Sequence, residues 1–382
     1  MSDFSTLEPA VDPNNRISFL LDWELTMKCN LDCSYCGTDL YDGGHNNSVP
    51  HPPVDECLKT IDFMFEYVDL YMSTKPRGIR YVILNVYGGE SLHHPDIVEI
   101  LKTVRERYKS YQDRWYLTVT TTTNAIVNDR ILDEIIPLID EFTVSYHTEN
   151  TPKQKQQFRE NLLKIKTSGR RLKCVVLMHA EADKFEDAGF MIDWLNQNQI
   201  RYLPRQLDHV MTQEEFNYSE KQVTWFENLY QSRTQIKEKF KMPEKKVVED
   251  QIDLADTGRA CCGGRQVCQD QNYRSRTFFV GNKFPDWFCS VNHFFVYVKQ
   301  VTKEIFVNKD CKMNYTGSVG PIGHLSNYQK LLDDTKQQLS TDNMPVIQCK
   351  KQRCYCGLCA PKAESKTDYD KIIKKYQQKI PT

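Results

Sequence analysis

The sequence predicts an α/β fold: a partial (β/α)6 barrel of parallel strands, followed by a smaller, cysteine-rich α+β domain. Three observations predict it. Up to about residue 215, short β-rich runs alternate with amphipathic helical runs. A polar, helical stretch then interrupts the alternation. Beyond it the cysteine density jumps, with nine of the 14 cysteines lying after residue 260.

The predicted strands are Phe19–Thr26, Tyr81–Tyr87, Tyr116–Thr122, Phe142–Tyr146, Leu172–His179 and Ile200–Leu207. Between them apolar residues recur three and four apart, as in Leu58, Ile61, Phe65 and Val68, then Ile97, Leu101, Val104 and Tyr108. Pro95 suits a first helical turn and Gly169 a helix end. Strand–helix alternation implies right-handed crossovers and a parallel sheet. Six units are too few for a closed eight-stranded barrel and suit a curved, partly open one. The domain boundaries that follow are 1–215 for the barrel, 216–258 for a helical linker and 259–382 for the second domain. In the last, Phe294–Val301 and Ile305–Val307 read as a hairpin with its turn near Thr302–Glu304.

Composition narrows the function. Hydrophobic residues make up 40% and charged residues 26%, a globular balance. With 50 Lys+Arg against 51 Asp+Glu, no global field draws the chain to nucleic acid. The six lysines from Lys362 to Lys379 are interleaved with Glu364, Asp368 and Asp370 and read as a solvated helix. The polar N-terminal stretch lacks the pattern of a signal peptide, and no run is apolar enough to span a bilayer. A cytoplasmic location is therefore expected, where clustered cysteines point to metal rather than disulfides. Cys57 and Cys174 sit in apolar runs and read as buried hydrophobes.

Cys29, Cys33 and Cys36 lie on a loop after the first strand, spaced Cys-x3-Cys-x2-Cys. Three thiolates so spaced can hold three corners of a 4Fe–4S cubane and leave the fourth iron open for catalysis. A zinc site completed by a distant residue is the alternative. This loop resembles that of the radical S-adenosylmethionine (SAM) superfamily, and Tyr35 matches the aromatic residue found there. The resemblance implies that the open iron binds the amino and carboxylate groups of SAM. Reductive cleavage then yields a 5′-deoxyadenosyl radical that abstracts hydrogen from a substrate.

The next segments agree with it. YGGESLHHPDI resembles the family's Gly-Gly-Glu motif: Gly88 and Gly89 allow a close backbone approach to a ligand, and Glu90 can accept from the SAM ammonium. His94, Pro95 and Asp96 fit the start of the next helix. TTTTNA resembles a Thr-Asn-Gly turn with Ala125 in place of glycine, which puts Thr122 and Asn124 near the SAM sugar or carboxylate. Ser145 matches a serine near the ribose, while His147 replaces the usual acidic residue. Arg205 can fork onto a carboxylate of SAM or substrate, or form a salt bridge. His147 and His209 are candidates for proton transfer.

The late cysteines are Cys261, Cys262, Cys268, Cys289, Cys311, Cys349, Cys354, Cys356 and Cys359. Cys289 and Cys311 bracket the hairpin, and Cys356 with Cys359 has ligand spacing, so two and two make one four-thiolate site. Cys349 and Cys354 form a further pair, and Cys261, Cys262 and Cys268 supply more thiols. The arrangement resembles the twitch or SPASM auxiliary-cluster domains, without the hairpin-turn glycine or the seven-cysteine spacing of SPASM. It implies an auxiliary 4Fe–4S cluster; structural zinc is the alternative. Together the resemblances imply a radical SAM enzyme acting on a peptide or protein side chain, or on a small molecule. Its electrons would come from a flavodoxin or ferredoxin. A non-catalytic iron–sulfur carrier or zinc-binding scaffold is the reading from a different class.

Overall fold

The computed structural model describes residues 6–7, 17–36, 47–73, 80–207, 217–226, 228, 285–308, 313–315, 318–341, 344–350 and 362–377. A short β1 (Thr6–Leu7) precedes the alternating series. That series runs β2 (Ile17–Thr26), α1 (Val54–Ser73), β3 (Arg80–Gly88), α2 (Ile97–Tyr108), β4 (Tyr116–Thr123) and α3 (Asp129–Ile135). It continues with β5 (Glu141–Tyr146), α4 (Pro152–Thr167), β6 (Arg171–Met178), α5 (Ala182–Gln197) and β7 (Tyr202–Gln206). All six strands of the predicted parallel series are thus present, displaced by a residue or two at their ends.

After it come β8 (Phe288–Cys289), β9 (Phe295–Lys299), β10 (Glu304–Phe306), β11 (Gly323–His324), α6 (Tyr328–Ser340), β12 (Ile347–Gln348), β13 (Lys362–Ala363) and α7 (Lys366–Gln377). Most of the predicted linker 216–258 lies outside the described residues, and 220–226 within it is helical. Among the described residues no helix is long and apolar enough to cross a membrane.

Two sheets organise these elements. The large one has the order β11-β10-β9-β2-β3-β4-β5-β6-β7, parallel from β9 through β7 and antiparallel across β9, β10 and β11. The small one has the order β1-β13-β8-β12. Strands from beyond residue 259 therefore lie in both. The predicted hairpin is β9–β10, but its turn ends earlier than expected: Glu304 already pairs with Lys299, and Lys303 carries the left-handed backbone (φ 60°). Lys303 thus occupies a conformation that glycine takes at least cost.

Local signals set the helix ends. Thr151 and Gln154 form a reciprocal capping box ahead of α4, with Pro152 in the first turn. Gly169 (φ 76°) ends that helix as expected. Pro95, in contrast, stands before the N-cap Asp96 of α2 rather than inside its first turn.

The two faces of the large sheet differ in chemistry. Side chains alternate faces along a strand, and register partners on parallel strands share a face. Leu21, Trp23, Val82, Leu84, Val86, Val119, Phe142, Val144, Cys174 and Val176 are each at most 1% exposed and pack with the helices in one apolar core. The other face carries Asp22 and Glu24, Asn85 and Tyr87, Thr120 and Thr122, Thr143 and Ser145, then Lys173 and Arg205, placed by register. A parallel sheet with both faces packed reads as apolar on both. Here a polar ladder crosses three strands, Asn85 donating to Asp22 (2.7 Å) and Thr120 to Asn85 (3.2 Å).

Candidate active site

The cysteine loop leaves β2 through a register shift between Glu24 and Thr26, so the strand bends as it ends. The turn after β3 is fastened to this exit. Gly89 N–H donates to Thr26 O and Glu90 N–H to Lys28 O, each at 2.8 Å. The two glycines are required by that contact. A Cβ on Gly88 would sit 2.1 Å from Thr26 O, and one on Gly89 would sit 2.4 Å from Lys28 O. The close approach expected of this pair is therefore to the backbone that launches the cysteine loop.

Glu90 is 2% exposed. Its Oε1 accepts from Leu92 N–H (3.0 Å) and Thr123 Oγ1 (2.8 Å), and its Oε2 from Asn124 N–H (2.6 Å). Burial pushes the carboxyl up to about 7, and the three hydrogen bonds pull against that rise without cancelling it. Glu90 thus bridges the turns that end β3 and β4.

Asn124 carries the link onward. Its amide donates to Asn30 Oδ1 (2.7 Å), its carbonyl accepts from Ile126 N–H (2.9 Å), and Asn30 donates to Ile126 O (2.8 Å). Ala125 holds the left-handed conformation (φ 54°) where glycine would be usual, and Asn161 pins the turn through Ala125 O and Val127 O. Three sequence motifs at the carboxyl ends of β2, β3 and β4 are thereby one hydrogen-bonded unit. Thr122 presents a buried hydroxyl with no hydrogen-bond partner among the described residues, and half-buried Ser145 has none there either. Arg205 is exposed and in register with Leu177, which packs with Tyr35, so it shares the cysteine-loop side of the sheet.

The Cys33–Tyr35 part of the loop meets the residues that follow β5. His147 Nδ1 lies 2.9 Å from the Tyr35 hydroxyl and 3.3 Å from Cys33 Sγ, and its ring is parallel to that of Tyr35 (3°). Burial pushes the imidazole down to about 4, against the pull of Glu149, so it is neutral near pH 7. Glu149 was not singled out by the sequence. It accepts from Ser34 N–H (2.8 Å), Ser34 Oγ (2.6 Å) and Lys184 Nζ (2.9 Å). The one available signal was an acidic residue two positions beyond His147.

The donor set fits an iron–sulfur cluster. Cys29, Cys33 and Cys36 are half-buried on one short loop. Burial pushes the Cys29 and Cys33 thiols up to about 12, with Glu90 adding to the rise at Cys29 and the neighbouring cysteines at Cys33. A bound metal reverses that balance and makes each sulfur a thiolate. Among the described residues no three His, Cys, Asp or Glu side chains converge on a single-ion site. A cubane, gripped at its corners, does not ask for such convergence.

Of the late cysteines, Cys289 and Cys349 are described. Both are buried; Cys289 ends β8 and pairs with Ile347, and Cys349, just past β12, donates its N–H to Trp287 O (2.8 Å). The register puts them diagonally on one sheet face. Cys261, Cys262, Cys268, Cys311, Cys354, Cys356, Cys359 and His209 lie outside the described residues.

Residues 23–192 match the model of the Radical SAM superfamily. The matched stretch runs from within β2 through most of α5. Curated proteins give no match to the sequence. Similar solved structures include native anSMEcpe with bound AdoMet, at 11% identity and a TM-score of 0.49, covering 85% of this chain and 83% of that one. A form with bound AdoMet and Cp18Cys peptide is 10% identical, with a TM-score of 0.48 and coverages of 94% and 96%. For the form with bound AdoMet and Kp18Cys peptide the match covers 50% of this chain and 52% of that one, at 10% identity and a TM-score of 0.36. The chain spans about half the length of that chain and of a hexahistidine-tagged form matched over 52% of its length. These similarities are too low to bear on activity.

Proposed function

We propose that this chain is a radical SAM enzyme whose barrel-like sheet, of partial (β/α)6 type, binds a 4Fe–4S cluster through Cys29, Cys33 and Cys36. The observation that carries the reading is the hydrogen-bonded unit joining the cysteine loop, the Gly88–Glu90 turn and the Thr122–Ala125 turn. When bound, the cluster supplies the electron that splits SAM into methionine and a hydrogen-abstracting 5′-deoxyadenosyl radical.

The protein's own residues hold and orient. Gly88 and Gly89 bring the turn onto the cysteine loop, and Glu90 and Asn124 lock the three turns together. Glu90 would offer the remaining acceptor capacity of Oε2 to the SAM ammonium. Thr122 and Ser145 offer hydroxyls, and Arg205 a guanidinium for a carboxylate of SAM or substrate. The polar sheet face receives the substrate, a peptide or protein side chain or a small molecule.

Residues 259–382 furnish an auxiliary 4Fe–4S site held by Cys289, Cys311, Cys356 and Cys359, with Cys349 and Cys354 as further candidate ligands. Such a site would supply an electron acceptor for the substrate or an open position for binding it. A flavodoxin or ferredoxin in the cytoplasm is the reductant.

Anaerobic reconstitution, iron and sulfide counting, and a SAM-cleavage assay with dithionite test this. About eight irons support one auxiliary cluster, and about four confine iron to the first loop. If the reconstituted protein forms no 5′-deoxyadenosine and Cys33→Ala loses no iron, the proposal fails and a zinc-binding scaffold takes its place.

A further inference from the structure

The contact between the cysteine loop and the end of β5 does more than fix the loop's position. Glu149 approaches the segment between Cys33 and Cys36 and takes both donors of Ser34, the backbone N–H at 2.8 Å and the hydroxyl at 2.6 Å. Its only cation partner among the described residues is Lys184, at 2.9 Å, and Lys184 is shared with Glu181 at 3.1 Å. The Glu149 side chain is 17% exposed and that of Lys184 23%, so both are partly shielded from water.

We propose that Glu149 is a positioning residue whose fixed negative charge lowers the reduction potential of the cluster held by the first cysteine loop, with Lys184 as the counterweight. The inference rests on the radical SAM reading and adds to it a device that nothing in the three sequence motifs requires.

Two effects act in the same direction. Reduction adds an electron to the cluster, and a carboxylate held on Ser34, the neighbour of Cys33, disfavours that added negative charge. Hydrogen bonds donated to cluster sulfurs stabilise the reduced state. By accepting the Ser34 N–H, Glu149 withholds one such donor. Lys184 opposes the first effect, because its ammonium offsets the carboxylate's charge. The low potential that results suits a cluster that must pass its electron onward to a substrate hard to reduce.

The sign of the effect separates this role from simple anchoring. Glu149→Gln removes the charge with little change of shape, and Lys184→Met removes the counterweight. Ser34→Ala loosens the loop but leaves the charge in place. Each protein is reconstituted anaerobically, and the reduced-cluster EPR signal is titrated against potential, with iron content recorded alongside.

The expected result is a higher midpoint for Glu149→Gln and a lower one for Lys184→Met. At a fixed potential the reduced-to-oxidised ratio should change about threefold to tenfold, tenfold corresponding to about 59 mV for one electron. Ser34→Ala should lose iron more readily while moving the midpoint less than Glu149→Gln. Midpoints that move the same way in Glu149→Gln and Lys184→Met, or that do not move, overturn the proposal. If wild-type protein with about four or more irons gives no reducible 4Fe–4S signal, the radical SAM reading fails first and this inference falls with it.

Discussion

Replacing Gly89 by alanine tests whether the Gly-Gly-Glu turn is fitted to the cysteine loop or to a ligand. The added Cβ would lie 2.4 Å from Lys28 O, 2.6 Å from Met27 O and 2.7 Å from Lys28 C. All three are backbone atoms, so no flexible side chain can step aside. Relief requires the turn to lift away, which lengthens the bonds from Gly89 N–H to Thr26 O and from Glu90 N–H to Lys28 O. Overpacking costs about 1–3 kcal/mol and each lost hydrogen bond about 1 kcal/mol, so the variant should lose roughly 2–5 kcal/mol.

At about 2.1 cal/mol/K of unfolding entropy per residue, a chain of 382 residues has roughly 0.8 kcal/mol/K. Gly89→Ala should then unfold about 2–6 °C below wild type if the chain melts as a unit. Gly189, inside α5 with nothing within 4 Å of an added Cβ, is the control. Gly189→Ala should stabilise by about 0.5–1 kcal/mol. Calorimetry on metal-free protein makes the comparison without any ligand. A Gly89→Ala midpoint equal to wild type, together with a raised Gly189→Ala midpoint, would falsify the close backbone contact.

Three further outcomes are expected. The unfolded chain ionises Glu90 near 4.5 whereas burial in the fold holds its proton up to about 7. Stability of the metal-free protein should therefore fall between those pH values, by on the order of 3 kcal/mol, and level off above them; Glu90→Gln should flatten that slope in urea titrations run from pH 4 to 8. Gln199 follows the C-cap of α5 with φ 51° on an exposed surface. Gln199→Gly should raise stability by about 1 kcal/mol, and a loss would show that its side chain contributes something the backbone strain conceals. Asn161 is 4% exposed and donates to Ala125 O and Val127 O at 2.8 and 3.0 Å. Asn161→Ala should cost about 1–3 kcal/mol and speed amide exchange across the turn; unchanged exchange would remove Asn161 from the support of that turn.

Much of the fold was legible because its signals are local. The six parallel strands announce themselves as β-rich runs between helical periods, and the buried faces of α1 and α2 follow from their spacing. β1, β12 and β13 each hold two residues, too few to show a period. Nor could any local pattern indicate that β9 pairs with β2, since Leu20 and Phe295 are far apart in sequence. Glu149 escaped notice for the same reason: its partner Ser34 is 115 residues away, and a lone glutamate after a strand is ordinary.

The site was legible as a set of motifs, but their division of labour was not. Glu90 and Asn124 look from sequence like ligand contacts, yet most of their polar atoms are spent on one another's turns and on Asn30. Thr122, Ser145 and Arg205 carried weaker sequence signals. In the fold their polar groups have no partner among the described residues, and by register all three share the polar face. A residue committed to holding the frame and one left open toward a face fail differently when altered. Changes at Glu90 or Asn124 should cost stability and SAM cleavage together. Thr122→Val or Ser145→Ala, which remove a hydroxyl bound to nothing among the described residues, should leave stability within about 0.5 kcal/mol of wild type while weakening SAM binding. The two residues with the quieter sequence signals are thus better probes of ligand contact than the motif glutamate.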